Sequence, residues 1–215
     1  MNTKEIKVGQ FTEISNRLEK HFDDRARTCN DGLKAVDWKS RNAQYNRFQQ
    51  ILKLIDASDP ISILDYGCGD GELVKFLNVQ NVEFEYFGFD VSLEMLERAK
   101  KAHAHMTNCH FVNDLRDLPT LDYVVASGVF AMKFDSSEAD WKEYMVEQIK
   151  LFNDLATKGF AFNCLTSYSD IEFQRSDLYY ADPLFWFDHC KRHVSRWVSL
   201  LHDYPEYDFT IIVRK

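Results

Sequence analysis

Three glycines at alternate positions, Gly67, Gly69 and Gly71, follow the apolar run Ile61-Ser-Ile-Leu-Asp-Tyr66 and precede a helical stretch beginning near Glu72. Glycine lets a chain turn sharply after a strand and leaves room for a ligand against the backbone. Asp90 ends a second apolar run, Phe87-Gly-Phe-Asp-Val, 23 residues after Gly67. In a doubly wound sheet that is where a carboxylate grips a ribose diol, so the two features together point to a nucleoside. Asp65, two residues before the first glycine, offers a second carboxylate to a ligand with an ammonium group. It can equally serve by fixing the turn through backbone amides.

What the turn lacks narrows the ligand. A dinucleotide fingerprint places its third glycine at position 72, where helix and strand close around a pyrophosphate. Glu72 stands there instead, and its charge is expected to oppose a phosphate at that helix start. No Gly-Lys-Ser or Gly-Lys-Thr is present, which argues against a P-loop nucleotidase.

The run Asp65-x-Gly67-x-Gly69-x-Gly71, with Asp90 followed by Val-Ser-Leu-Glu-Met-Leu, resembles the class I S-adenosylmethionine-dependent methyltransferases. Their cofactor is a sulfonium nucleoside without phosphate, in line with the chemistry of the turn. The resemblance runs from about Ile61 to Lys215. It implies an α/β fold: a doubly wound, mostly parallel seven-stranded Rossmann-like sheet, the last strand inserted antiparallel between the fifth and sixth. It further implies that the glycine turn, Cys68 included, holds the methionine portion. Asp90 would bond the ribose and Val91 cover one adenine face. Asn113, Asp114 and Leu115 match the segment meeting the adenine amino group, and Ser127, Gly128 and Val129, with Phe130 after them, the segment lining the reacting methyl. No Asn-Pro-Pro-Tyr run follows the fourth strand, which speaks against the amino-methylating nucleic-acid enzymes of the family.

Methyl transfer from a sulfonium is a direct displacement that asks for alignment and exclusion of water. An oxygen or protonated nitrogen acceptor also needs a base at the carboxyl ends of the strands. His202, with Asp203 beside it and Tyr168 across the edge, is the candidate base. The long polar and aromatic segment from Asn163 through Arg175, Tyr179, Tyr180 and Asp182 reads as a substrate lid, centred near residues 166–182. On the N-terminal side, Arg47 or Gln44 is placed to reach the cofactor's carboxylate, and Trp38 or Tyr45 to wall the acceptor. His189 and His193 lie four apart without a third ligand in sight, so no metal is expected.

These residues need a frame. Apolar residues share helical faces at Phe11, Ile14, Leu18 and Phe22, and again at Phe48, Ile51, Leu52 and Ile55. After Pro60 short β-branched or aromatic runs alternate with helical stretches, which predicts parallel strands with helical crossovers. The predicted strands are 61–66, 84–89, 110–112, 123–126, 160–165, 198–202 and 209–213. The short 203–208 connection allows only an antiparallel hairpin for the last two. Ser92, Ser137 and Asp182-Pro183 mark helix starts. The chain reads as one domain over 1–215, with a helical cover over 1–58 and the cofactor-binding core over 59–215.

Length and composition set the outer bounds. With 215 residues, 45% hydrophobic and 28% charged, the chain is ordinary globular material rather than disordered or fibrous. With 26 basic against 34 acidic residues, the formal charge of -8 and the absence of a basic stripe disfavour nucleic acid. Five scattered cysteines suit a reducing compartment, and no apolar stretch is long enough to span a bilayer. The expectation is a cytoplasmic monomer or homodimer, with no membrane partner. It would methylate a small polar molecule at oxygen or nitrogen. Two other readings stay open: a non-catalytic module binding the cofactor or its product as a signal, and a nicotinamide-dependent oxidoreductase, which Glu72 disfavours.

Overall fold

A computed structural model describes residues 3–29, 32–35, 40–56, 58–116 and 118–215. Seven strands alternate with helices: β1 Ile61–Tyr66, β2 Phe84–Phe89, β3 Cys109–Val112, β4 Leu121–Ala126, β5 Ala156–Leu165, β6 Trp197–Leu201 and β7 Asp208–Arg214. They form one sheet in the order β3-β2-β1-β4-β5-β7-β6. β1 to β5 run parallel, and β7 pairs antiparallel with both β5 and β6. The expected seven-stranded topology, with an antiparallel last strand between the fifth and sixth, is therefore present. β1 and β2 match their predicted limits; β4 and β5 begin earlier, because Leu121 and Ala156 already pair ahead of the apolar runs.

The helices are α1 Thr3–Thr28, α2 Gly32–Ala35, α3 Arg41–Ile51, α4 Glu72–Val79, α5 Leu93–Ala102, α6 Glu138–Leu155 and α7 Pro183–His193. Their starts follow the local chemistry. Ser92, Ser137 and Asp182 accept the amides of Met95, Asp140 and Leu184 respectively, and Pro183 occupies the first turn of α7. Two apolar layers flank the sheet. One joins α1, α6 and α7 through Ile14, Leu18, Trp141, Phe152, Phe162 and Trp186. The other joins α3 and α4 through Phe48, Ile51, Leu73, Val74 and Leu77. Each such side chain removed from water contributes about 1.5–3 kcal/mol, so the layers fix the helices that roof the strand ends.

Two sequence features thus meet at the carboxyl edge of the sheet. The glycine turn leaves β1 there, and α1 and α3 lie across it, α1 packed on α5 and α3 packed on β5 and β7.

Candidate active site

The turn between β1 and α4 is built by backbone bonds to the end of β2. Gly67 and Cys68 amides donate to Phe89 O at 2.7 and 2.9 Å. Gly67, Gly69 and Gly71 all hold positive φ, the left-handed region that side chains disfavour. A Cβ on Gly67 would stand 2.7 Å from Val129 Cγ2, and one on Gly71 2.9 Å from His103 Nε2. Gly67 therefore keeps the cleft open, whereas Gly71 lets α4 approach α5 and β3.

Asp90 receives the Gly69 and Ser92 amides at 2.9 Å, one on each carboxylate oxygen. The Val91 amide also bonds it, so of a carboxylate's roughly four lone-pair positions about one is left for a ribose hydroxyl. Asp65 accepts the Tyr86 hydroxyl at 2.7 Å. Burial pushes both acids up, Asp65 to about 7 and Asp90 to about 6, since neither has a cation beside it to favour its charged form. Asp70, also half-buried at the cleft, is raised by burial and by the neighbouring Glu72 charge, against the pull of Lys75 and Arg98.

The resulting cleft is lined from the sheet edge by Asp65, Gly67, Cys68, Gly69, Asp90, Val91, Ser127, Gly128 and Val129. The structure brings these expected residues together. Sequence reasoning missed the wall opposite: Leu18 and Phe22 of α1, Phe48 of α3, Met132 and Tyr144. Apolar helical spacing marks Leu18, Phe22 and Phe48 only as core, while Met132 lies in the β4–α6 loop, where no periodicity singles it out. Gln44 joins that wall; it is 5% exposed, and its Oε1 has no partner among the described residues. An unmade bond to a buried acceptor costs about 1–3 kcal/mol.

Other expected residues lie elsewhere. Arg47 is buried but turned from the cleft, ion-paired with Asp208 and Glu206, because the β7 start places a carboxylate under that turn of α3. Glu72 is held by Tyr45, Lys75 and Arg41 and does not line the cleft. Its charge is therefore not what faces a ligand; the three aspartates are. Tyr45 is committed to that same cluster and walls nothing. Asn113 is exposed, Asp114 is chelated by Arg116, and Leu115 packs on the core. None of the three lines the cleft.

Phe130 is fully buried under Trp141, whose Nε1 donates to Phe130 O at 3.0 Å. Asn163 is spent on the loop after β4: its Oδ1 accepts the Gly128 amide at 2.7 Å, and its Nδ2 reaches Ser127 Oγ at 3.4 Å. It shapes the cleft wall from behind. Tyr179 is buried in the core, with its amide on Ala131 O, while the Lys133 and Phe134 amides reach Asp177 O. The expected lid is thus stitched to the β4–α6 loop. Within it Arg175 pairs with Asp177, and the Tyr180 hydroxyl accepts the Arg175 amide.

His202, Asp203 and Tyr168 are exposed, with the Tyr168 and His202 rings 5.8 Å apart. β6 is the outermost strand, three strand spacings or about 14 Å from β4, so this trio does not line the cleft. Trp38 lies outside the described residues. His189 and His193 have ring centroids 5.0 Å apart on α7, tilted to one another, with Phe185 stacked on His189. Among the described residues, no helix is long and apolar enough to cross a membrane.

A family described as "Methyltransferase domain" matches residues 63–153, the segment from β1 to α6. The chain is 43% identical over 164 residues to Rv1506c of Mycobacterium tuberculosis (strain ATCC 25618 / H37Rv), provisionally named as a methyltransferase. That match covers 76% of this chain and 99% of the relative. It is 30% identical over 130 residues to the malonyl-[acyl-carrier protein] O-methyltransferase of Legionella pneumophila, covering 60% of this chain and 40% of that one. The magnesium protoporphyrin IX methyltransferase of Synechocystis PCC 6803, solved with bound S-adenosylhomocysteine, superposes with a TM-score of 0.63 at 14% identity, covering 93% of this chain and 99% of that one. The glycine turn, the paired carboxylates, the strand order and these relatives agree, and the chain belongs to the class I S-adenosylmethionine-dependent methyltransferases.

Proposed function

We propose that the chain moves the methyl of S-adenosylmethionine to an oxygen or nitrogen of a small molecule, with the reacting atoms held between the glycine turn and the α1–α3 roof. The cofactor supplies a methyl already activated as an electrophile on sulfonium sulfur. The protein's share is binding, alignment and exclusion of water. Asp90 takes a ribose hydroxyl with its remaining lone pair, Asp65 the ammonium group, and the Gly67–Gly69 backbone the methionine portion. Val91 and Met95 border the adenine, and Ser127, Gly128 and Val129 border the methyl. Bound there, the cofactor would give its methyl to an acceptor lone pair and would leave as the neutral thioether, with the acceptor's proton released to solvent.

One observation carries this reading. Three carboxylates and no cationic side chain line the cleft among the described residues, which suits a cationic nucleoside and opposes a pyrophosphate. That charge balance also sets the nicotinamide reading aside. Calorimetric titration with S-adenosylhomocysteine and, separately, with NADH tests it. Saturable binding of the first alone is expected, and preference for NADH overturns it. The single-domain organisation and the small-molecule substrate belong to the same proposal, since the cleft lies within one sheet and its roof.

A further inference from the structure

We infer that Gln44 selects the methyl acceptor, and that the part of the acceptor entering the cleft is a mostly apolar body without negative charge, carrying one N–H or O–H donor. The inference rests on the reading of the cleft as a methyltransferase site and names the substrate class it takes.

The two walls of the cleft differ in chemistry. The sheet edge supplies every carboxylate, Asp65, Asp70 and Asp90, while the roof supplies Leu18, Phe22, Phe48 and Met132. Among the described residues the roof holds two polar side chains, Tyr144 and Gln44. The Tyr144 hydroxyl is engaged by Tyr66 and Ser15. Gln44 is different: it is 5% exposed at the cleft, and its Oε1 finds no partner among the described residues. A buried acceptor of this kind is completed by a ligand that brings a donor, and it discriminates against an analogue that lacks one.

Charge narrows the ligand further. The neighbouring cations are already committed, Arg47 to Asp208 and Arg41 to Glu72, and no Lys, Arg or His lines the cleft among the described residues. An anionic acceptor would enter beside three carboxylates with no cationic side chain lining the cleft among the described residues to pair with it. An apolar body instead gains by leaving water against the leucine, phenylalanine and methionine surfaces.

Ligand-observed NMR on protein saturated with S-adenosylhomocysteine tests this with matched probes: phenols and anilines, their donor-free methyl ethers and dimethylanilines, and benzoates. Phenols and anilines are expected to bind at least about tenfold more tightly than the other two groups. Gln44→Leu should erase that preference while leaving S-adenosylhomocysteine affinity within about twofold. Gln44→Glu, of the same shape but charged, should turn the preference towards benzylamines and keeps the test open if the leucine variant folds poorly. The inference is overturned if benzoates bind as well as phenols, or if phenols and anilines do not bind. It is overturned also if Gln44→Leu weakens S-adenosylhomocysteine tenfold, which would assign Gln44 to the cofactor. Wild-type protein that fails to bind S-adenosylhomocysteine would instead sink the underlying reading of the cleft.

Discussion

The Gly69 amide donates to Asp90 Oδ2 at 2.9 Å, tying the turn after the first strand to the end of the second. One carboxylate therefore does two jobs: it holds the loop in the conformation that exposes backbone to a ligand, and it keeps a lone pair for that ligand. Its other oxygen is steadied by the Ser92 amide at the start of α5, whose hydroxyl in turn donates to Asp23 of α1 at 2.6 Å. The roof, the turn and the ribose anchor form one connected set.

Asp90→Ala should weaken S-adenosylhomocysteine binding by about 1.5–3 kcal/mol, the range for hydrogen bonds to a charged group. Part of that loss comes from the freed Gly69 amide, so Asp90→Asn, which keeps one acceptor oxygen, should fall between. Calorimetric dissociation constants decide the matter. An unchanged constant in Asp90→Ala would mean that the ribose sits elsewhere.

Asp65 predicts a pH dependence. Its pKa in the free protein is about 7 against an ordinary 3.8, so the native state holds more protons than the unfolded chain between those values. Stability of the free protein then declines as pH rises from about 4 to 7, because burial increasingly confines a bare charge. Cofactor affinity moves the opposite way, since the ionised carboxylate is the form that pairs with an ammonium group. Asp65→Asn keeps an oxygen for the Tyr86 hydroxyl. It should melt higher than wild type at pH 8 and the same at pH 4, and should bind S-adenosylhomocysteine more weakly with a flatter pH profile. A lower melting temperature at pH 8 would contradict the assignment.

Much of this arrangement was legible in the chain. Strand-length apolar runs ending in glycine and aspartate announce β1, β2 and the turn, because β1 is buried on two faces and β2 on one, with Glu85 on its open face. The roof was legible as helices but not as a wall. Gln44, Arg47, Phe48 and Ile51 share one face of α3 at helical spacing, and periodicity alone does not say which of them meets a cleft and which meets a strand. Arg47 reads as a cofactor contact from sequence because Asp208, 161 positions away, gives no local signal. His202 is remote for a different reason. The implied strand order already puts the sixth strand at the sheet margin, so a base there is remote from chemistry at the first and fourth strands.

Gly67→Ala should destabilise the protein by about 1–3 kcal/mol, from left-handed backbone strain and the 2.7 Å approach to Val129 Cγ2. Urea midpoints measure the stability loss. Relief by Gly67→Ala with Val129→Ala should be partial, because the second change removes the clash but not the φ of +78°. Full recovery would show that the backbone strain is negligible.

The Arg47–Asp208 pair makes the last case, since it separates a structural cation from a ligand-binding one. Arg47 and Asp208 are 7% and 3% exposed, and removal of one member leaves the other charged and buried. Arg47→Ala should therefore cost about 3–5 kcal/mol in denaturant unfolding. Replacing both partners with apolar residues, Arg47→Met and Asp208→Leu, should recover most of that loss, as the isolated charge is then gone. Through both changes the dissociation constant for S-adenosylhomocysteine should stay within about threefold of wild type, because Arg47 spends its guanidinium on β7 rather than on the cleft. If the double variant is stable yet binds the nucleoside tenfold more weakly, Arg47 reaches the ligand after all and the roof closes differently when loaded.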